Sequence, residues 1–137
     1  MSKNKFILIV DDDKDTRNII RTILNAKGYE TKEASNGKEA LALVKDEVPQ
    51  LILLDLMMPE MSGYDVITHL KINPNTQNTP VIMLTAKVEN EDILTGYNEY
   101  AVDYYITKPF TPKHLINGVE LILGSQKIDE AKPEESN

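Results

Sequence analysis

The sequence contains no cysteine and no tryptophan, and only 6% of its 137 residues are aromatic. The lack of cysteine excludes disulfides, thiol chemistry and cysteine-ligated metal sites in this chain, and it fits a reducing compartment. No uninterrupted apolar run exceeds five residues. Such runs are too short for a signal peptide or a transmembrane span. We therefore expect a cytoplasmic protein without a membrane segment.

Basic residues are fewer than acidic ones, with 15 lysines and arginines against 22 aspartates and glutamates. The net charge is −7 and the isoelectric point is near 4.8. This balance disfavours nonspecific attraction to nucleic acid or to anionic membranes, so we expect no direct nucleic-acid binding. The length suits one domain, and the apolar fraction of 41% is ordinary for a globular chain.

Short apolar runs alternate with amphipathic stretches along the chain. The runs predict five strands, at residues 5–10, 29–34, 51–54, 80–84 and 104–107. The amphipathic stretches predict five helices, at about 14–27, 37–47, 62–71, 91–99 and from 112 onward. This alternation predicts an α/β fold: a doubly wound, five-stranded parallel sheet of the flavodoxin-like order 2-1-3-4-5, with helices on both faces.

The last twelve residues differ in composition from the rest. Residues 126–137 are acidic and contain little apolar surface, so we predict a disordered tail or the beginning of a linker there. The folded domain is expected to occupy residues 1–125.

Carboxylates follow two of the predicted strands. Asp11, Asp12 and Asp13 end the first strand, and Asp55 ends the third. If these strands are parallel neighbours, their carboxyl ends meet at one edge of the sheet, where ligands bind in such folds. Crowded carboxylates repel one another unless a cation lies among them. Oxygen-only ligands suit Mg²⁺, with Mn²⁺ as a substitute, and Lys108 after the fifth strand supplies a second positive group.

Four segments resemble the signature segments of the bacterial response-regulator receiver domain, as in chemotaxis regulators. They are FILIVDDD, LILLDLMMPEMSG, PVIMLTA and YITKPF. They occur in that family's order and spacing, over about residues 5–124. The resemblance implies a phosphoacceptor domain for two-component signalling, with at most self-phosphorylation and autodephosphorylation activity.

The resemblance implies roles for residues at matching positions. Asp55 is the implied phosphoacceptor. Asp11, Asp12, Asp55 and the backbone carbonyl of Met57 are the implied Mg²⁺ ligands. The implied phosphate contacts are the Thr85 hydroxyl, the Lys108 ammonium and the backbone N–H groups of Met57 and Ala86. Thr85 and Tyr105 form the implied switch pair, and the bond between Lys108 and Pro109 is usually cis in the family.

The implied partners are a sensor histidine kinase or a histidine phosphotransfer protein, with a downstream protein target that the sequence does not name. Phosphorylation would change the surface formed by the helix predicted at 91–99, the strand at 104–107 and the last helix. The chain would be a monomer or a phosphorylation-dependent dimer. Alternatively, it is the receiver module of a longer DNA-binding regulator or of a hybrid histidine kinase.

Several further positions bear on this interpretation. A phosphatase of the dehalogenase type would need a second acid where Met57 stands, and a flavodoxin would need a glycine- and hydroxyl-rich loop where Asp11–Asp13 stand. Asp13 is better explained as a helix cap than as a metal ligand. Ala101 replaces the glycine that is common in the family before the fifth strand, which would alter the turn there.

Overall fold

The structure, a computed structural model, describes residues 5–86 and 102–135. Five parallel strands form one sheet in the order β2-β1-β3-β4-β5, as predicted. The strands are β1 (Phe6–Val10), β2 (Glu30–Ala34), β3 (Leu51–Asp55), β4 (Val81–Thr85) and β5 (Tyr104–Thr107). The helices among the described residues are α1 (Lys14–Ala26), α2 (Gly37–Asp46), α3 (Gly63–Lys71) and α4 (Pro112–Glu135).

Alternate side chains of the central strands point to two apolar clusters, one on each face of the sheet. On one face, Leu8 and Leu54 pack with residues of α2 and α3. On the other face, Ile9 and Leu53 pack with residues of α1 and α4. Both faces of β1, β3 and β4 are therefore buried, which explains their continuous apolar runs. Strand β2 is more polar and lies at the edge, as expected.

The helix starts follow the capping residues in the sequence. Asp13 caps α1 by accepting the Thr16 N–H, which confirms its predicted role as a cap. Asn36 caps α2, and Ser62 forms a capping box with Asp65 at the start of α3. These caps fix where the chain leaves each strand end and enters the next helix.

Several boundaries differ from the predicted ones. Asp55 and Thr85 are the last residues of β3 and β4, not the first residues after them, because each still pairs with its neighbour in the sheet. Helix α4 continues to Glu135, through most of the segment predicted as a disordered tail. That segment has Ile128 as its one large apolar residue, and its glutamates and lysines favour helix intrinsically, although Pro133 does not.

Two predictions fall on residues that the structure does not describe: the helix at 91–99 and the turn at Ala101. Val102, directly after that turn, is buried in the core. Within residues 5–86 and 102–135, no helix has the length and apolar character needed to cross a membrane.

Candidate functional site

Three carboxylates meet at the carboxyl edge of the sheet. Asp11 directly follows β1, and Asp55 ends β3, the neighbouring strand. One oxygen from each of Asp11, Asp12 and Asp55 lies within 4.8 Å of the others. Asp11 is fully buried and Asp55 is 5% exposed, whereas Asp12 is exposed at the mouth of the site. The structure thus brings together the acids that the sequence placed at neighbouring strand ends.

Lys108 enters this cluster from the end of β5. Its Nζ donates to Asp11 Oδ2 at 2.7 Å and lies 3.5 Å from Asp55 Oδ1. Burial alone would lower the pKa of Lys108, but the hydrogen bond and negative charge of Asp11, together with Asp55, outweigh it and raise that pKa. The Lys108 N–H donates to the Thr85 carbonyl at 2.8 Å, and the bond to Pro109 is cis, as the resemblance implies.

The environment of Asp55 opposes its negative charge. Burial, and next the charge of Asp11, raise the pKa of Asp55 to about 6, although Lys108 and the Met57 N–H act in the opposite direction. One lysine therefore does not neutralise this group of acids. The remaining negative charge would favour a further cation at the same place.

The predicted phosphate contacts surround Asp55 to different degrees. The Met57 N–H donates to Asp55 Oδ1 at 3.3 Å, while the Met57 side chain is 72% exposed. Thr85 is buried and follows Leu84, the register partner of Asp55. Ala86 comes next and is exposed. Met57 thus lies just after β3, Thr85 at the end of the neighbouring strand β4, and Ala86 directly after β4.

Tyr105, the predicted switch residue, lies on β5 and is partly buried. Its ring packs with the cluster beneath α2 and α3, whereas the adjacent Tyr104 packs on the opposite face, as expected for neighbouring strand residues. The Tyr105 hydroxyl lies 2.7 Å from the hydroxyl of Tyr64 on α3. Tyr64 was not predicted, because nothing in the sequence shows which helix residue faces β5.

Arg17 is a second residue that the sequence analysis missed. Its Nη1 donates to the backbone carbonyl of Asp11 at 2.6 Å, and its Nε pairs with Glu33 on β2 at 3.1 Å. Its position one turn into the helix after the acidic cluster was a signal that could have drawn attention to it.

Gly63, at the first position of α3, is a third residue that was not predicted from the sequence. A Cβ atom there would lie 2.8 Å from the Asp55 carbonyl oxygen and 2.8 Å from Met83 Sδ. Only glycine lets α3 start this close to the strand that holds Asp55. The signal was a glycine directly after the Ser62 cap, a position where the helix itself does not require one.

The donor set fits a hard divalent cation. Its members are carboxylates, and the two histidines among the described residues, His69 and His114, are exposed on helices α3 and α4. Mg²⁺ and Mn²⁺ favour such oxygen ligands. Three carboxylates facing one ammonium leave an excess of negative charge that a divalent cation would offset. Asp11, Asp12 and Asp55 are the residues that could hold it.

The sequence matches the response regulator receiver domain family over residues 7–120. It is 44% identical over 119 residues to the phosphate regulon transcriptional regulatory protein PhoB of Pseudomonas aeruginosa, covering 87% of this chain and 52% of that protein. It is 40% identical over 130 residues to the transcriptional regulatory protein SrrA of Staphylococcus aureus, covering 93% of this chain and 52% of that protein. The chain thus spans about half the length of these regulators.

Solved structures share the fold. The Vibrio cholerae chemotaxis protein CheY4 aligns with a TM-score of 0.81 at 28% identity, covering 87% of this chain and 98% of that one. The signal receiver domain of a histidine kinase from Syntrophus aciditrophicus aligns with a TM-score of 0.79 at 35% identity, covering 88% and 90%. The chain belongs to the receiver-domain family of two-component response regulators.

Proposed function

We propose that this chain is a phosphorylation-controlled switch whose phosphoacceptor is Asp55. The observation that supports this best is the setting of the Asp55 carboxylate. It is almost fully buried, yet it lies at the open edge of the sheet with an ammonium 3.5 Å away and a backbone N–H 3.3 Å away, both at Oδ1. Positive groups placed around a nucleophilic carboxylate can also bind the oxygens of an incoming phosphoryl group.

The donor is a phosphohistidine of a sensor histidine kinase or of a histidine phosphotransfer protein. An oxygen of Asp55 forms the new P–O bond while the P–N bond to the donor imidazole breaks, and the imidazole keeps that electron pair and takes up a proton. Lys108, the Thr85 hydroxyl and the N–H groups of Met57 and Ala86 hold the phosphoryl oxygens. The chain acts as an acceptor, with self-phosphorylation and autodephosphorylation as its own reactions.

The reaction depends on Mg²⁺, or on Mn²⁺ in its place. The ion would be held by Asp11, Asp12, Asp55 and the Met57 carbonyl, and the clustering of the three carboxylates within 4.8 Å supports this assignment. When bound, the ion supplies positive charge next to the phosphoryl oxygens. Asp11 and Asp12 lie in the short loop between β1 and α1, and this loop places their carboxylates at the site.

Phosphorylation adds a charge of about −1.5 to −2 at Asp55 and shifts an equilibrium between two conformations. Thr85 and Tyr105 transmit the change to the surface around β5 and α4, where a downstream protein binds, and a near-complete shift requires about 5 kcal/mol. The switch operates in the cytoplasm without direct nucleic-acid contact. It acts as a monomer or as a dimer that forms on phosphorylation.

A second candidate is the same switch as part of a longer protein. The relatives PhoB and SrrA are named as transcriptional regulators and are about twice as long as the matched region. Another similar receiver domain belongs to a histidine kinase. In either setting Asp55 would accept the phosphoryl group in the same way, and the attached domain would deliver the output.

Incubation with a small acyl phosphate, followed by intact mass measurement, tests the proposed acceptor. We expect a gain of about 80 Da, one HPO₃ group, that requires Mg²⁺ and is lost in Asp55→Asn. Asp46→Asn is the matched control, since Asp46 is an exposed acid at the end of α2. No mass gain in the unmodified chain, or an unchanged gain in Asp55→Asn, contradicts the proposal.

A further inference from the structure

The Arg17 side chain joins three parts of the molecule. It extends from α1, and its Nη1 donates to the Asp11 carbonyl at 2.6 Å. Its Nε pairs with Glu33 Oε1 on β2 at 3.1 Å. The side chain is only 14% exposed. A planar guanidinium can make both contacts at once in fixed directions, which a flexible ammonium cannot.

The contact with Asp11 is at its backbone, and this determines what Arg17 can control. The Asp11 carbonyl belongs to the peptide unit that joins Asp11 to Asp12, and this unit is planar. On the other side of Asp11, its N–H donates to the Ala34 carbonyl at 3.2 Å. Both ends of the Asp11 backbone are thus held, one by the sheet and one by Arg17. Fixing this peptide fixes the directions in which the two carboxylates leave the chain.

The charge of Arg17 is already paired. Glu33 accepts from Arg17 through Oε1 and from Arg21 Nη1 through Oε2 at 2.7 Å. Glu33 therefore anchors the guanidinium in place, and Arg17 and Arg21 share its one negative charge. Removing either arginine removes the same charge, but only Arg17 donates to the Asp11 carbonyl.

From these contacts we infer that Arg17 is a positioning residue for the divalent-cation site, acting through the Asp11–Asp12 peptide, with Glu33 as its anchor. This inference rests on the proposed function only for the existence of that cation site. Residues that orient metal ligands without touching the metal typically contribute about 10- to 100-fold to affinity. Without Arg17, the Asp11 carbonyl would bind water, and the loop would sample orientations in which Asp11 and Asp12 no longer converge.

Mg²⁺ titration of the metal-free 137-residue chain by calorimetry tests this inference. We expect Arg17→Met to raise the Kd for Mg²⁺ by about 10-fold. The matched control is Arg21→Met. Arg21 shares Glu33 with Arg17 and is 41% exposed, and within residues 5–86 and 102–135 no hydrogen bond joins it to Asp11 or Asp12. Its loss should leave the Kd within about twofold of the original value. Urea midpoints measured in EDTA show whether the two variants lose similar stability.

The outcomes separate the two proposals. Equal Mg²⁺ affinity of Arg17→Met and the unmodified chain overturns the inference, as does an equal loss in Arg21→Met. Failure of the unmodified chain to bind Mg²⁺ overturns the proposed cation site as well. If Arg17→Met does not fold, Arg17→Lys replaces it. That variant keeps the charge but cannot serve both partners in the same geometry, and a raised Kd is again expected.

Discussion

The Lys108 ammonium lies closer to Asp11 than to Asp55: its Nζ is 2.7 Å from Asp11 Oδ2 and 3.5 Å from Asp55 Oδ1. The lysine is therefore held by the acid next to the proposed acceptor. The contacts of Asp55 Oδ1 with Lys108 Nζ and with the Met57 N–H are longer, at 3.5 and 3.3 Å. A phosphoryl group arriving at Asp55 would meet a cation that is already in place and partly buried.

This relationship predicts the effect of replacing Lys108 with methionine. Without the ammonium, Asp11 and Asp55 face each other in a buried site, so the free energy of unfolding in EDTA should fall by about 2 kcal/mol, less than for a fully buried pair. Mg²⁺ should then bind more tightly, because it no longer shares the carboxylates with a lysine. Urea unfolding with and without Mg²⁺ measures both effects. Lys113→Met, an exposed lysine on α4, is the control, and equal unfolding midpoints for the two variants in EDTA would be evidence against this account.

Gly63 should tolerate no side chain. In Gly63→Ala the new Cβ would meet the Asp55 carbonyl oxygen at 2.8 Å and the Leu56 Cα at 3.0 Å, backbone atoms that move only with the strand. We expect a loss of about 1–3 kcal/mol of unfolding free energy, together with weaker Mg²⁺ binding because Asp55 is displaced. Gly124→Ala, with nothing within 4 Å of the new Cβ, should be neutral or slightly stabilising. Equal effects of the two substitutions would refute the steric argument.

The hydroxyl pair of Tyr64 and Tyr105 should show energetic coupling. A hydrogen bond between the two hydroxyls at 2.7 Å predicts a coupling free energy of about 1 kcal/mol in a double-mutant cycle with Tyr64→Phe and Tyr105→Phe. Urea unfolding of the four proteins measures it. If the two losses of unfolding free energy are additive, the hydrogen bond between the hydroxyls contributes no measurable stability.

The start of α2 should contribute stability that depends on pH. The Ser35 N–H and hydroxyl donate to Glu39 Oε1 at 2.7 and 2.8 Å, and these bonds, the backbone one first, lower the pKa of Glu39 below its ordinary value of 4.5. A depressed folded pKa means that the stabilisation is present above about pH 4.5 and is lost as the pH falls through the folded value. The stability difference between the original chain and Glu39→Gln should therefore be larger at pH 7 than at pH 3. Urea unfolding at both pH values checks this, and a difference that grows on acidification would contradict the sign.

The sheet could be predicted from the sequence because its strands are buried on both faces. Apolar runs that stop on Asp11 and Asp55 identify both the strands and the edge where they end. Strand order then places the acids side by side, as the structure has them. The exact strand ends were less predictable, since Asp55 and Thr85 are still paired in the sheet while already forming part of the site.

Side-chain contacts between elements could not be predicted in the same way. The Arg17 contact with the Asp11 carbonyl depends on the rotamer of one arginine. The need for Gly63 depends on how closely α3 approaches β3, and the pairing of Tyr64 with Tyr105 depends on which side of α3 faces β5. None of these contacts produces a periodic pattern that could be recognised in the sequence. The sequence therefore predicted which charged residues meet at the edge of the sheet better than it predicted the contacts around them.

The most direct test of the central claim is to locate the phosphoryl group after reaction with a small acyl phosphate and Mg²⁺. Borohydride reduces an aspartyl phosphate to homoserine, which peptide mass mapping can assign to one position. We expect homoserine at position 55 and at no other aspartate, and no homoserine when Mg²⁺ is removed. Homoserine at position 11 or 12 in place of 55, or none at any position, would contradict the claim that Asp55 is the acceptor.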